Sequence, residues 1–168
     1  MNFPIRPEEP RDVDAITELI EAAFRHAAHS SGTEQHIVRA LRREGQLSLS
    51  LLAHDDGSIV GHVAVSPVAI STGAAGWYGL GPISVDPVHQ GRGIGSALVR
   101  EALHELRHRG ARGCVLLGDP AFYRRFGFMP SAGLALPGVP PEYFQALAFD
   151  GEVPVGEVRY HRAFDASA

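Results

Sequence analysis

The sequence has 168 residues, of which 45% are hydrophobic and 20% charged, and these values predict one globular domain over residues 1–168. The net charge of −4 excludes the basic surface that nucleic-acid and membrane-surface proteins carry, so we expect neither partner. Cys114 is the only cysteine, which excludes an internal disulfide, and no N-terminal segment joins a charged start to a long apolar run. We therefore expect a cytoplasmic protein.

The first half of the chain predicts two helices and a three-stranded meander. After an extended start at 3–6, apolar residues recur every three or four positions over 11–27 and again over 33–45, where Gly45 is a stop signal. Alternating residues at 47–54, turn residues at 55–58 and a β-rich run at 59–70 predict a hairpin. A glycine-containing connection then leads to a third strand at 77–85, and we expect these three strands to be antiparallel.

In the second half the type of connection changes. A glycine-rich loop, a helix over about 94–109 and an apolar strand at 113–118 predict a right-handed parallel crossover. The fold class is therefore α/β, with a mostly antiparallel mixed sheet, one parallel strand pair and flanking helices. A short helix at 119–128, proline-rich turns at 137–141 and a final strand at 156–164 follow, and 141–149 fits either a helix or a strand.

Three glycines in "HQGRGIGS", residues 89–96, directly precede the long helix. The first turn of a helix has N–H groups without internal partners and a partial positive charge, so it attracts anions. Gly91, Gly93 and Gly95 remove side chains that would block such an anion, and Arg92 adds a positive charge. We interpret the loop as a diphosphate cradle; the alternative is that the glycines only form a tight turn.

Two well-known phosphate motifs do not fit. A P-loop needs a lysine, and the chain has none. A dinucleotide fingerprint needs G-x-G-x-x-G, but Ser96 stands where the third glycine would be.

The strand before the loop, "WYGLGPISV", predicts a second part of the ligand. Pro82 cannot donate a ladder hydrogen bond, and two glycines weaken the pairing around it, so this strand should separate from its parallel neighbour. The main chain at Ile83 and Val85 would then be free to pair with a ligand that contains amides. An amide-containing chain that ends in a diphosphate is the outline of coenzyme A; the alternative is an edge proline without a functional role.

The stretch "VDPVHQGRGIGSA", residues 85–97, resembles the signature Q/R-x-x-G-x-G/A of the GNAT family of N-acetyltransferases, including bacterial members. A second element of that family, a short helix ending in Y-x-x-x-G-F, stands in the same order as "DPAFYRRFGF", residues 119–128. With the strands around them, these motifs cover about half of the chain. The resemblance implies a GNAT-like fold and acetyl-CoA as co-substrate.

The resemblance also implies roles for particular residues. The main chain at Ile83 and Val85 would pair with the pantetheine arm, and Asp119 and Phe122 would lie beside it. Tyr123 would be the general acid that protonates the departing thiolate, although it also fits a core aromatic, and Arg125 would lie near the adenosine phosphate. The pyrophosphate would be held by Gln90, Gly91, Arg92, Gly93, Ile94, Gly95 and Ser96.

The general base is not assigned. Some relatives carry a glutamate on the strand before the loop, but "WYGLGPIS" contains no carboxylate. His62, Tyr78, Ser84 and a water molecule on free carbonyls remain candidates, and Asp86 is expected to shape the turn. The candidates for an acceptor pocket are aromatic: Phe24, Trp77, Tyr78, Tyr143 and Phe144.

The sequence "HELRH", residues 104–108, matches the zinc-protease motif H-E-x-x-H. On a helical wheel, however, His104 and His108 fall opposite the apolar side, and no third ligand follows at a familiar spacing. We therefore expect both histidines to face water and predict no metal site.

Three functions are left to compare. The first is an enzyme that transfers the acetyl group of acetyl-CoA to a primary amine, the second an acyl-CoA sensor or protein-interaction module, and the third a zinc hydrolase. The sequence does not identify the amine acceptor, and it leaves the oligomeric state open, with a homodimer among the options.

Overall fold

The computed structural model describes residues 3–25, 27 and 31–167. Its helices are α1 (Val13–Phe24), α2 (Glu34–Arg43), α3 (Ile94–His108) and α4 (Pro120–Tyr123). Its strands are β1 (Ile5–Pro7), β2 (Leu49–Asp55), β3 (Ser58–Ile70), β4 (Trp77–Val85), β5 (Gly113–Leu117), β6 (Leu134–Ala135), β7 (Phe144–Ala148) and β8 (Gly156–Tyr160).

The strands form a mixed sheet in the order β1-β2-β3-β4-β5-β7. In this series only β4 and β5 are parallel, and the other neighbours are antiparallel. β8 pairs with the far end of β3 and with the short β6. The predicted antiparallel meander and the parallel crossover are both confirmed.

Local backbone turns explain where β2 and α2 end. Asp56 and Gly57 both have positive φ (49° and 79°), the conformation that a two-residue hairpin between β2 and β3 requires. Gly45 has φ of 70°, and the N–H of Gln46 donates to the carbonyl of Leu41 over 2.8 Å, which ends α2 as expected.

The C-terminal third differs most from the sequence prediction. The ambiguous segment 141–149 begins with a 3-10 turn, Pro141–Tyr143, and continues as β7 on the edge of β5. The predicted strand at 156–164 is too long, because after Tyr160 the chain forms another 3-10 turn, Arg162–Asp165. The two-residue strand β6 was not predicted.

The helices cover both faces of the sheet. Val63 and Val65 of β3 belong to the apolar cluster that includes α3, whereas Ala64 between them packs in the cluster that includes α1 and α2. The buried side of α3 is apolar, and His104 and His108 are exposed, which confirms the helical-wheel prediction. Among the described residues, no helix has the length and apolar character needed to cross a bilayer.

The contact between β5 and its neighbours leads to a first prediction. A Cβ at Gly113 would lie 2.4 Å from the Trp77 ring and 2.7 Å from the backbone oxygen of Leu147. Because neither a buried ring nor a backbone can move cheaply, we expect Gly113→Ala to lower the free energy of unfolding by about 1–3 kcal/mol, measured by chemical denaturation. Gly95→Ala is the control, since a Cβ there has no contact closer than 3.8 Å. Equal stability of the two variants would contradict this packing.

Candidate active site

β4 separates from β5 halfway along its length. The two strands pair only from Trp77 to Gly79, opposite Gly113 to Val115. Beyond that point β4 has one more residue than β3 between Leu80 and Ile83, because Val65 faces Leu80 and Val63 faces Ile83. The extra residue bends β4 away from β5 and opens a gap in the sheet at the place predicted from Pro82.

The backbone of β4 turns hydrogen-bonding groups toward this gap. The N–H of Asp86 donates to the carbonyl of Val60 on β3 over 2.9 Å. Successive strand residues direct their N–H groups to opposite edges, so those of Ile83 and Val85 point away from β3. The carbonyl of Val85 accepts a hydrogen bond of 3.3 Å from the side-chain amide of Gln90, so this carbonyl is not free.

The glycine loop ends at the start of α3. Gly91 and Gly93 have φ of 79° and 84°, a conformation that other residues adopt only with strain. The first backbone hydrogen bond of α3 runs from the N–H of Ala97 to the carbonyl of Gly93 over 3.0 Å. The amides of residues 94–96 therefore have no partner within the helix, which leaves them available to an anion.

The segment before the glycines is fixed to the β2–β3 hairpin. Asp86 shapes the turn as expected, because its Oδ1 accepts a hydrogen bond from the N–H of Val88 at 3.3 Å. His89 lies between two carboxylates, with Nδ1 3.2 Å from Asp86 and Nε2 3.2 Å from Asp55. Sequence reasoning missed this anchor, since Asp55 lies far from the loop in the chain.

The short helix α4 positions an aromatic pair at the other side of the gap. Its N-cap is Asp119, whose Oδ1 accepts a hydrogen bond from the N–H of Ala121 at 3.0 Å. Gly127, with φ of 101°, ends the following 3-10 turn. The rings of Phe122 and Tyr123 meet edge to face, with centroids 4.8 Å apart.

Tyr123 is 8% exposed, and its ring lies against Gly118, where a Cβ would be 2.5 Å from the ring. Burial, with a smaller effect from the nearby charge of Asp119, raises the pKa of Tyr123 to about 12. The phenol therefore stays protonated at neutral pH, which is the state that a proton donor needs.

The Arg125 guanidinium lies over the Phe122 ring, 4.5 Å from its centroid, and its Nε donates to the Phe122 carbonyl over 3.1 Å. These contacts hold a positive charge at the rim of the gap. Arg92 lies on the exposed loop beside it.

One cleft of about 1280 Å³ joins these features. Its walls include every residue that the resemblance assigned to acetyl-CoA binding or to proton donation, except Arg92. The predicted residues that line it are Ile83, Val85, Gln90, Gly91, Gly93, Ile94, Gly95, Ser96, Asp119, Phe122, Tyr123 and Arg125.

The predicted acceptor aromatics are mostly elsewhere. Phe24 lines the cleft, but Trp77 and Phe144 are buried in a core cluster. The cleft instead has Tyr160 and Phe164 in its wall, which sequence reasoning missed because the C-terminal segment carries no motif.

β4 carries no carboxylate that could act as a general base, and Gly79 leaves little room for one. A Cβ there would already lie 3.2 Å from Val68 and 3.3 Å from the ring of Tyr160. Of the other candidates for the general base, His62 and Ser84 are buried and do not line the cleft.

His62 belongs instead to a buried polar chain on the α1–α2 side of the sheet. Its Nε2 lies 2.8 Å from the hydroxyl of Ser50, which also donates to Glu8 over 2.6 Å. Glu8 in turn accepts two hydrogen bonds of 2.8 Å from Arg42.

Burial lowers the pKa of His62 to about 4. An unfolded chain holds this histidine near 6.5, so acid favours the unfolded state as the pH falls from about 6.5 to about 4. We expect the wild type to lose roughly 2–3 kcal/mol more free energy of unfolding than His62→Gln between pH 7 and 4.5. Denaturant titrations at both pH values measure this. The pKa of His54 is also lowered by burial. Because the wild type and the variant both contain His54, its contribution cancels in the comparison. Equal losses would show that His62 titrates normally.

The described residues contain no group of three metal-ligating side chains. His104 and His108, which carried the zinc motif, both lie on the exposed side of α3. Among the described residues, the two histidines of the motif therefore have no further side chains with which to bind zinc.

Comparison with known proteins agrees with this geometry. Residues 4–131 match the family model described as an acetyltransferase (GNAT) domain. The chain is 38% identical to the uncharacterized N-acetyltransferase YhbS of Escherichia coli (strain K12), over 96% of this chain and 98% of YhbS.

Two solved structures are similar over nearly their whole length. A GNAT family acetyltransferase from Brucella melitensis, in complex with acetyl-CoA, is 52% identical with a TM-score of 0.87, covering 98% of this chain and 99% of that one. YhbS from Escherichia coli, in complex with CoA, is 36% identical with a TM-score of 0.88, covering 100% and 94%. This chain belongs to the GNAT family of N-acetyltransferases.

Proposed function

We propose that the protein transfers the acetyl group of acetyl-CoA to a primary amine by direct attack, with Tyr123 as the general acid. The observation that carries this proposal is the cleft itself. It brings together the outward N–H edge of β4, the free amides at the start of α3 and the phenol of Tyr123. The acetyl-CoA and CoA complexes of the two similar proteins support the same ligand here.

Each part of the cleft suits one part of acetyl-CoA. The N–H groups of Ile83 and Val85 pair with the pantetheine amides, as an added strand would. To use the Val85 carbonyl as well, the ligand displaces only the long 3.3 Å bond from Gln90. The amides of residues 94–96 and the positive end of α3 hold the pyrophosphate, and Arg125 faces the adenosine phosphate.

In the reaction, the lone pair of the neutral amine attacks the thioester carbonyl carbon and forms a tetrahedral intermediate. The C–S bond then breaks, its electron pair leaves with sulfur, and Tyr123 donates its proton to the thiolate. The proton that the positively charged nitrogen of the intermediate loses passes through water and restores the phenol. Starting from an ammonium ion, the products are the acetamide, the free thiol of CoA and one proton released to solvent. Since no strand carboxylate is present, we assign the deprotonation of the ammonium ion to water in the open cleft.

A thiol-release assay tests this function. We expect acetyl-CoA-dependent release of free thiol with at least one compound from a panel of aliphatic amines, peptides and small metabolites, and mass spectrometry should find the acetamide. Isothermal titration calorimetry measures the affinity of the same protein for acetyl-CoA.

The absence of a carboxylate on β4 also favours a second function, an acyl-CoA sensor with little catalysis. Micromolar or tighter binding of acetyl-CoA without thiol release across the whole panel would select the sensor and reject the enzyme.

A further inference from the structure

A second concave surface lies beside the cleft, between α3 and the 3-10 turn that follows α4. It has a volume of about 300 Å³ and is lined by Arg100, Leu103, His104, Arg107, Arg125 and Phe126. We call it the arginine pocket. Its volume is at the lower end of the range for small-ligand sites, roughly 300–1,000 Å³. Arg125 lines the cleft as well, so the two spaces adjoin.

Three side chains of the arginine pocket, Arg100, Arg107 and Arg125, form no ion pair with a carboxylate among the described residues. The carboxylates of α3 lie elsewhere, because Glu101 and Glu105 line a separate depression beside β1 and β2. The chain as a whole has a net charge of −4, so the pocket is a local concentration of positive charge. Such a concentration favours an anionic ligand.

Aromatic rings hold the guanidinium groups of this pocket in place. The guanidinium of Arg100 lies 5.1 Å from the centroid of the Phe126 ring, and that of Arg125 lies 5.9 Å from the same centroid. Arg107 lies over the ring of Phe149 at 4.5 Å. A guanidinium that stacks on a ring keeps its terminal N–H groups, which lie in its own plane, available to a ligand. The pocket is therefore arranged for an anion before the anion binds.

Charge and geometry select phosphate among the possible anions. An arginine side chain binds the oxygens of a phosphate group through two parallel N–H bonds. A phosphomonoester carries about −1.5 to −2 charges at pH 7, whereas a carboxylate carries one. The phosphomonoester therefore gains more from three positive charges at one place.

We propose that the arginine pocket binds a phosphomonoester group. One source of this group is acetyl-CoA itself, which has a 3′-phosphate apart from its pyrophosphate. Arg100 lies about 9 Å along the axis of α3 from Ile94, where the pyrophosphate is proposed to bind. For this source the inference rests on the proposed function. The other source is a separate phosphorylated molecule that binds beside acetyl-CoA.

Calorimetric titration of acetyl-CoA and of acetyl-dephospho-CoA, which lacks only the 3′-phosphate, tests the first source. At constant ionic strength, we expect the wild type to bind acetyl-CoA about tenfold more tightly than the dephospho ester. Arg100→Gln combined with Arg107→Gln should bring this ratio close to one. The matched control is Arg39→Gln combined with Arg43→Gln, which removes the same charge from α2 outside both the cleft and the arginine pocket and should leave the ratio unchanged.

Inorganic phosphate is the probe for the second source. If a separate molecule fills the pocket, the wild type binds the two CoA esters equally. Phosphorus NMR then shows inorganic phosphate binding to the protein saturated with acetyl-CoA, and this binding is lost in the α3 double variant but kept in the α2 control. If acetyl-CoA supplies the group, saturation with acetyl-CoA displaces the inorganic phosphate instead.

The outcomes separate this inference from the proposed function. All four substituted arginines are exposed, so neither double variant should lose stability, which thermal unfolding checks. Affinities for both CoA esters and for phosphate that are the same in the two double variants would overturn the phosphate site and leave the acetyltransferase proposal standing. A wild type that binds neither CoA ester would overturn the proposed function, while phosphate binding that depends on Arg100 and Arg107 would still support the site.

Discussion

Replacing Tyr123 with phenylalanine should lower kcat by roughly 10²–10⁴-fold while the dissociation constant for acetyl-CoA stays within about twofold. The ring of Tyr123 packs against Phe122, Phe128 and Gly118, and phenylalanine keeps these contacts. Only the hydroxyl is lost, and with it the proposed proton donor to the departing sulfur. Steady-state kinetics with a saturating amine, beside calorimetric titration of acetyl-CoA, measures both quantities.

The raised pKa of Tyr123 affects how its phenol can act as a proton donor. An ordinary thiol has a pKa near 8.5, and the phenol holds its proton to about pH 12, so full transfer to a free thiolate is uphill. The phenol therefore gives up its proton as the C–S bond breaks, and the proton lost by the nitrogen of the intermediate restores it, so no phenolate accumulates. It follows that kcat should not fall between pH 8 and 10 through ionisation of Tyr123.

A matched control tests whether the loss of activity is specific to the Tyr123 hydroxyl. Tyr143→Phe removes an equivalent group from an exposed ring just before β7 and should leave kcat unchanged. If Tyr123→Phe turned over as fast as Tyr143→Phe, another group would have to protonate the leaving thiolate.

Local patterns in the sequence were enough to predict where the glycine loop lies and where β4 leaves its parallel neighbour. The loop glycines and Pro82 act through backbone conformation within a few residues, so their effect can be inferred from neighbours in the chain. The parallel pairing ends at Gly79, as expected from the nearby Pro82.

The C-terminal wall of the cleft could not be predicted in the same way. Tyr160 reaches the cleft only because β8 pairs with the far end of β3, about ninety residues earlier in the chain, and no local pattern encodes that pairing. The segment 141–149 stayed ambiguous because its edge position on β5, a tertiary contact, decides that most of it is a strand. The anchor of His89 on Asp55 was missed for the same reason.

The substitution Gly95→Asp should have opposite effects on the fold and on the ligand. Within the first turn of α3 the new carboxylate interacts favourably with the helix dipole, and aspartate is a better helix former than glycine, so the free energy of unfolding should stay equal or rise by up to about 1 kcal/mol. A Cβ there fits, with Phe122 and Val85 at 3.8 Å.

The same carboxylate would occupy the place proposed for the pyrophosphate, beside the amides of residues 94–96, and its negative charge would repel that of the ligand. We expect the dissociation constant for acetyl-CoA to rise at least about 100-fold, which corresponds to roughly 2.7 kcal/mol. Gly95→Ala is the control, because it adds the Cβ without the charge and should bind nearly as well as the wild type. Comparing the two variants separates the effect of the charge from the effect of the added side chain. Tight binding by the aspartate variant would place the phosphates away from α3. Weak binding by both variants would mean that the loop tolerates no side chain at all.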